Sequence, residues 1–343
     1  MGGSLNSVAT PGLWVLFGSS VIGLLALDLF VFHHKPHAVR TREALAWSIA
    51  WVALAVLFGG IVYLWFGSKH GLEFLTGYLI EKALAVDNLV VFGVIFSYFG
   101  ISAGRQHRVL FWGVLGALAF RAIFVALGSS LLAHFHWVMY LFGAFLALTG
   151  VKLLGSTSQM HPEKNPLFRA LRRVIPIINS DTDHFFVREK PGLFATPLFF
   201  SLVLVEISDI VFAVDSIPAV FAVTSDPFIV FTSNVFAVLG LRAMYSLLAE
   251  FIVSLRYLRV GLALILVFVG TKMLIQSAIE IPILVSLGVV AVLLAGSAIA
   301  SLTQGRLSPS LLKVRDQGCF GTRPKEAVVV PSLGTGNNKA AIQ

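Results

Sequence analysis

Charge is scarce in this chain, and cysteine is scarcer. Asp, Glu, Lys and Arg make up 12% of the 343 residues, about half the share in a soluble domain. A soluble protein of this length needs more polar surface to cover its core, so that class is excluded. The single cysteine, Cys319, rules out a disulfide framework within the chain and a CxxC metal site. It lies outside every apolar stretch, which argues against a soft-metal site built on thiolates. There is no HExxH, no phosphate loop and no Ser/His/Asp arrangement. An enzyme is therefore not expected, nor a bound cofactor. Residues 1–10 contain no Lys or Arg, so a cleaved leader would lack its basic start, and the first apolar stretch is expected to stay as a span.

What the chain has in abundance is apolar sequence: 57% of residues are hydrophobic, 29 of them Phe, a composition that suits packing against lipid. A helix needs about 20 apolar residues to cross the hydrocarbon core. Nine stretches qualify: Pro11–Phe32, Ala44–Phe66, Leu72–Phe99, Val109–Ala133, Trp137–Leu154, Phe194–Val223, Phe228–Val253, Val260–Gln276 and Pro282–Leu302. The predicted fold is an all-α, polytopic membrane bundle of about nine transmembrane helices within residues 11–303.

The cations alternate. Loops and tails on one side of such a bundle hold 19 Lys and Arg, and those on the other hold only Lys69. Lys and Arg gather on the cytoplasmic side of short loops, which predicts a multi-pass protein of the cell (inner) membrane, N-terminus outside and C-terminus cytoplasmic. The net charge of +8 thus reads as topology and not as a nucleic-acid surface. Residues 155–193 form a basic cytoplasmic loop, read as lying on the inner leaflet. Residues 304–343, rich in Gly, Pro, Lys and Asn, read as a disordered cytoplasmic tail.

Two parts of the chain resemble each other. Glu81-Lys-Ala-Leu-Ala-Val-Asp87-Asn88 and Asp209-Ile-Val-Phe-Ala-Val-Asp215-Ser216 share acid, five residues, acid, small polar residue. An arginine follows in the next span of each, Arg121 and Arg242. Then come Gly150-Val-Lys152 and Gly270-Thr-Lys272. The units, about 72–155 and 194–277, each hold three spans, so they enter the membrane from opposite sides. Such inverted repeats mark secondary transporters, with the substrate site at the repeat interface near the midplane.

Glu81, Asp87, Glu206, Asp209 and Asp215 all fall within apolar helices, where a charge costs roughly 2.5–3.5 kcal/mol on insertion scales. Such residues face the bundle interior or a wet cavity. Acids six apart are about 9 Å apart along a helix and roughly 120° apart around it. With the helices antiparallel, Glu81 is expected level with Asp215, and Asp87 level with Asp209 and Glu206, giving two layers of acids. Asn88, Ser208, Ser216 and Asn234 add neutral oxygens. Oxygen donors suit Mg²⁺, Ca²⁺ or Mn²⁺. Lys82, Arg121 and Arg242, or protons, are expected to balance the charge when no cation is present, which makes proton exchange an economical coupling. Pro218 in the sixth span removes a helical hydrogen bond and marks a kink or break, or a simple membrane-helix proline. Asp28, near the inner end of the first span, is an accessory candidate at an entry. His33 and His34 read as interfacial.

These residues resemble the TerC/Alx family of integral membrane proteins. The segments that carry the likeness are Leu-Asp28-Leu-Phe-Val-Phe-His, Thr41-Arg-Glu-Ala-Leu with Trp47 and Trp51, Glu81 to Asn88, Glu206 to Pro218-Ala, and Thr232-Ser-Asn-Val-Phe-Ala-Val-Leu-Gly-Leu-Arg242. They cover roughly Pro11 to Ser301. The resemblance implies an inner-membrane protein linked to Mn²⁺ export, or to tellurium resistance, with its intramembrane acids at Glu81, Asp87, Glu206, Asp209 and Asp215. Five acids argue against carrying a tellurite oxyanion. The competing expectation is a membrane scaffold or assembly factor in metal or tellurium stress, whose buried charges only pair internally.

Overall fold

A chain in lipid must satisfy every backbone N–H and C=O within itself, so apolar stretches of this length become helices. The computed structural model describes residues 7–32, 41–135, 137–155, 182, 184–189, 192–251, 258–279 and 281–307. Within them run α1 (Pro11–Phe32), α2 (Thr41–Phe66), α3 (Ser68–Tyr98), α4 (Ala103–His134), α5 (Val138–Gly155), α6 (Pro197–Phe221), α7 (Pro227–Leu239), α8 (Leu241–Phe251), α9 (Leu258–Ile275) and α10 (Ile283–Leu307). By contacts the chain divides into 1–302, which holds almost all of the helical structure, and 303–343. The expected inner-leaflet stretch falls mostly on 156–181, and the expected tail on 308–343, outside the described residues.

The fold class is as expected, an all-helical membrane bundle. Among the described residues six helices are long and apolar enough to cross a membrane, and two shorter apolar ones cover Pro11–Leu27 and Val260–Ile275. Large apolar side chains face outward along α2 and α10, such as Leu64 at 80% and Val292 at 71% exposure. Lipid is the solvent that tolerates such surfaces. Not all Phe residues serve that purpose. Phe17, Phe58, Phe74, Phe228 and Phe236 cluster where α1, α2, α3 and α7 meet, with ring centroids about 5–6 Å apart, the spacing of favourable aromatic pairs.

α3 packs on α2, α6 and α7, and α4 packs on α6 and α7. Start meets end along α3 and α6. Glu73 accepts a hydrogen bond from Thr224 at 2.8 Å, and a Cβ on Gly77 would lie 3.0 Å from Val220. The two acid-bearing helices are therefore antiparallel. α6 runs through Pro218 to Phe221 without a break. The interruption lies in the following span, at Gly240 between α7 and α8. Asp226 starts α7 by accepting from the N–H of Phe228 (2.8 Å) and of Ile229 (3.4 Å), with Pro227 at the first helical position.

One small element was not expected. Phe186–Glu189 and Gly192–Ala195 pair as an antiparallel hairpin. Thr196 ties it to the start of α6, its hydroxyl donating to the His184 carbonyl at 2.8 Å. Arg108 of α4 lies 5.5 Å from the Phe185 ring. That contact brings together two of the segments that the cation alternation expects on one side.

α5 and α9 form the most intimate pair. A Cβ on Gly143 would sit 3.0 Å from the Gly270 carbonyl, and one on Gly270 would sit 2.6 Å from the Gly143 carbonyl. A Cβ on Gly150 would sit 2.7 Å from the Ala263 carbonyl. Shifting one number up and the other down by 120 turns the Gly143–Gly270 contact into the Gly150–Ala263 contact. Backbone rests on backbone, so a side chain here must push the helices apart. Gly270→Val is expected to destabilise the protein by about 1–3 kcal/mol, read as a lower melting temperature in detergent. Gly288→Val, where nothing lies within 4 Å of the added Cβ, should melt like the wild type.

Candidate cation site

Arg121 of α4 is fully buried. A guanidinium at this depth needs partners for its donors, and three helices supply them. Nη1 donates to Glu81 of α3 and to Asn234 Oδ1 of α7, the latter at 2.7 Å. Nη2 donates to Asp209 of α6 at 3.3 Å. Asn234 is held for this role, since its Nδ2 donates back to the Val230 carbonyl at 3.0 Å. Two carboxylates meet one guanidinium, so the formal balance of the cluster is negative by one.

The expected layers did not include this bridge: Glu81 shares its cation with Asp209, although the backbone register set by Gly77 against Val220 and Glu73 against Thr224 runs Glu81 toward the level of Ser216 and Asp215. A guanidinium offers five donors in a fixed fork, and lodged between two helices it draws one acid from each. Asp215 is only half-buried and lies beside the exposed Val211 and Val214. The side chains of Asp87 and Asp28 lie outside the described residues, so the expected layer of Asp87 with Asp209 stands untested on that side.

Several buried oxygens are left without a hydrogen-bond partner among the described residues: Glu81 Oε2, Asp209 Oδ2, Glu206 Oε2, Asn88 Oδ1 and Ser216 Oγ. An orphaned buried acceptor is costly and calls for an explanation. Asn88 stands seven residues after Glu81, and Ser216 seven after Asp209, which places each on the same helix face as its acid. Glu206 stands three before Asp209, one turn away on α6. Its carboxyl rests against Gly116 of α4, in space that a Cβ there would take. Ser208 is occupied, donating to the Leu204 carbonyl at 2.7 Å. Among the described residues no three His, Cys, Asp or Glu side chains are grouped closely enough to hold a metal. Arg121 stands between two of the acids, Glu81 and Asp209.

The other expected balancing cations do something different. Lys82 Nζ meets the Ala237 carbonyl at 3.2 Å and lies 5.9 Å from the Tyr78 ring. Ala237 is near the C-terminus of α7, where the break at Gly240 leaves carbonyls without helical donors, and a cation is favoured at such an end. A Cβ on Gly240 would lie 2.7 Å from that ammonium. Arg242 is buried, with its guanidinium 5.7 Å from the Phe111 ring of α4. The break is not legible in the sequence, because Gly240 looks like any membrane-helix glycine, and Lys82, expected as a balancing cation, is found at a helix end instead.

A second polar cluster was missed. Glu73 is buried near the start of α3, with His70 Nδ1 at 3.1 Å and the Thr224 hydroxyl at 2.8 Å. It lies at the rim of the third apolar stretch and outside the repeated motif, so its burial was not apparent. An acid at a span's edge reads as solvated until a neighbouring helix is seen to cover it.

The TerC model of integral membrane proteins matches residues 66–307. The chain belongs to the TerC family. That stretch contains every described residue of the Arg121 cluster. The chain is similar to a membrane protein of Myxococcus xanthus (STKORF319), 56% identical over 306 residues, 89% of this chain and 96% of the relative. It is 50% identical over 297 residues to Alx of Escherichia coli (strain K12), whose name proposes a membrane-bound redox modulator; the match covers 83% of this chain and 92% of Alx. A membrane protein of Rickettsia bellii is 40% identical over 291 residues, 84% of this chain and 96% of its own length. No solved structure matches.

Proposed function

We propose that this protein carries a divalent metal cation across the inner membrane, outward, as a transporter and not an enzyme. The observation that supports the reading is the Arg121 cluster: two buried carboxylates on antiparallel helices, each with one oxygen on the guanidinium and one unpaired. Oxygen donors of this kind suit a hard or borderline cation. They do not separate Mn²⁺ from Ca²⁺. The family resemblance favours Mn²⁺.

The expected inverted repeat would point the same way: the reciprocal contacts of α5 and α9 are of the kind a twofold axis in the membrane plane creates. In the proposed cycle Arg121 offsets one of the two charges of Glu81 and Asp209 while no metal is bound. A cation arriving with Asp87, Asn88 and Glu206 displaces the guanidinium, and release restores it. Protons taken up by Glu206 or Asp215 would complete the exchange.

The competing scaffold reading draws on the same paired charges, but a scaffold gains nothing from unpaired buried oxygens. The redox role in the Alx name does not point to a dithiol couple within this chain, which has one cysteine. The test is Mn²⁺ flux into liposomes holding the purified full-length protein. Wild type should move Mn²⁺. Asp87→Asn and Asp215→Asn should each slow it. Wild-type rates from both variants, or no flux from wild type, would refute the carrier.

A further inference from the structure

We propose that a polar cavity at the end of the bundle where α3 begins and α6 and α9 finish is a second cation station, with Glu73 as its ligand and Lys272 as the tethered cation that the metal displaces. This rests on the carrier reading for its place in the path, though not for its chemistry.

The cavity measures about 710 Å³. Its polar lining includes His70, Glu73, Thr224, Asp226, Lys272 and Gln276. Two of these are carboxylates, and they differ in what they are free to do. Asp226 is engaged throughout: it caps α7 and also accepts from the Val8 N–H at 2.6 Å and the Ser7 hydroxyl at 3.4 Å. Glu73 is less committed. Its Oε2 meets Thr224 and His70, while its Oε1 has only the Lys69 ammonium at 4.0 Å, and that lysine side chain is 77% exposed. A pair that long and that exposed is worth little.

A buried carboxylate with an imidazole one turn before it and a hydroxyl across from it, both meeting its Oε2, gathers oxygen and nitrogen donors on the cavity wall. That set suits a borderline divalent cation. Lys272 is the fourth party. It is 8% exposed and lines the same cavity as Glu73, without an ion pair to it among the described residues. With no metal present, its charge in the shared cavity offsets that of the buried carboxylate. Glu73 stands eight residues before Glu81 on the same helix, about 12 Å along the axis. Thr224 closes α6, the helix of Asp209 and Ser216. Both acid-bearing helices therefore open into this cavity. By the cation alternation it faces outward, the side on which an exported ion leaves.

The experiment counts Mn²⁺ bound to the full-length protein in detergent, by the loss of the free-ion electron paramagnetic resonance signal. Wild type should bind two ions. Glu73→Gln should lose one, and His70→Ala should weaken the same one, providing a second variant if Glu73→Gln does not fold. Lys272→Gln should tighten it, on the order of fivefold. Glu73→Gln and His70→Ala that both bind as wild type would overturn the station, and weaker binding by Lys272→Gln would overturn the displaced lysine. Asp209→Asn separates the two readings. If it leaves flux and binding unchanged while Glu73→Gln loses an ion, the central path is wrong and the outer station stands.

Discussion

Arg121→Met is expected to be the most damaging single substitution in this protein, destabilising it by about 3–5 kcal/mol. The loss comes less from the missing hydrogen bonds than from what remains. Glu81 and Asp209 would face each other in a dry interior with no cation between them, and Asn234 would lose its donor. The expected result is poor yield in the membrane and a much lower melting temperature. The triple variant Arg121→Met, Glu81→Gln, Asp209→Asn removes the stranded charges together and should melt much closer to wild type while moving no metal. If Arg121→Met alone melts like wild type, the cluster is not what holds α3, α4 and α6 together.

Glu81→Gln and Asp209→Asn should do the reverse, sparing the fold and stopping transport. The cluster holds two carboxylates for one guanidinium, so losing either leaves Arg121 with a partner. The cation loses a ligand, and Mn²⁺ flux should fall on the order of tenfold or more. The double variant strands Arg121 and should fail to fold. Single variants that transport at the wild-type rate would leave the cluster a structural pairing and favour the scaffold.

The helices, the fold class and the acids that would lie inside were legible because each is a local property. A run of twenty apolar residues, or an acid within it, is visible without knowing any neighbour. Which acids meet is not local. It depends on the rotation of α3 and α6 about their own axes and on α4 bringing Arg121 within reach of both. The acids were seen and the arginine was named, but a general charge balance is a weaker statement than a guanidinium with three specific acceptors. Glu73 shows the same limit from the other side. It looks like a surface acid at the start of a helix, and only the end of α6 lying over it makes it buried. Lys82 likewise has its role because α7 stops at Gly240, a break no local pattern announces. The hairpin at 186–195 is four residues a side, too short and too charged to signal a strand by alternation.

The close approach of α5 and α9 bears on which parts can move. Two helices whose backbones touch at Gly143, Gly150 and Gly270 leave no room for sliding, since any translation would drive a side chain into a carbonyl. They can turn only as one piece. Whatever opens the path first to one side and then to the other has to happen between that piece and α3, α4, α6 and α7, so a cross-link joining α5 to α9 should leave the cycle running and one joining α9 to α3 should stop it.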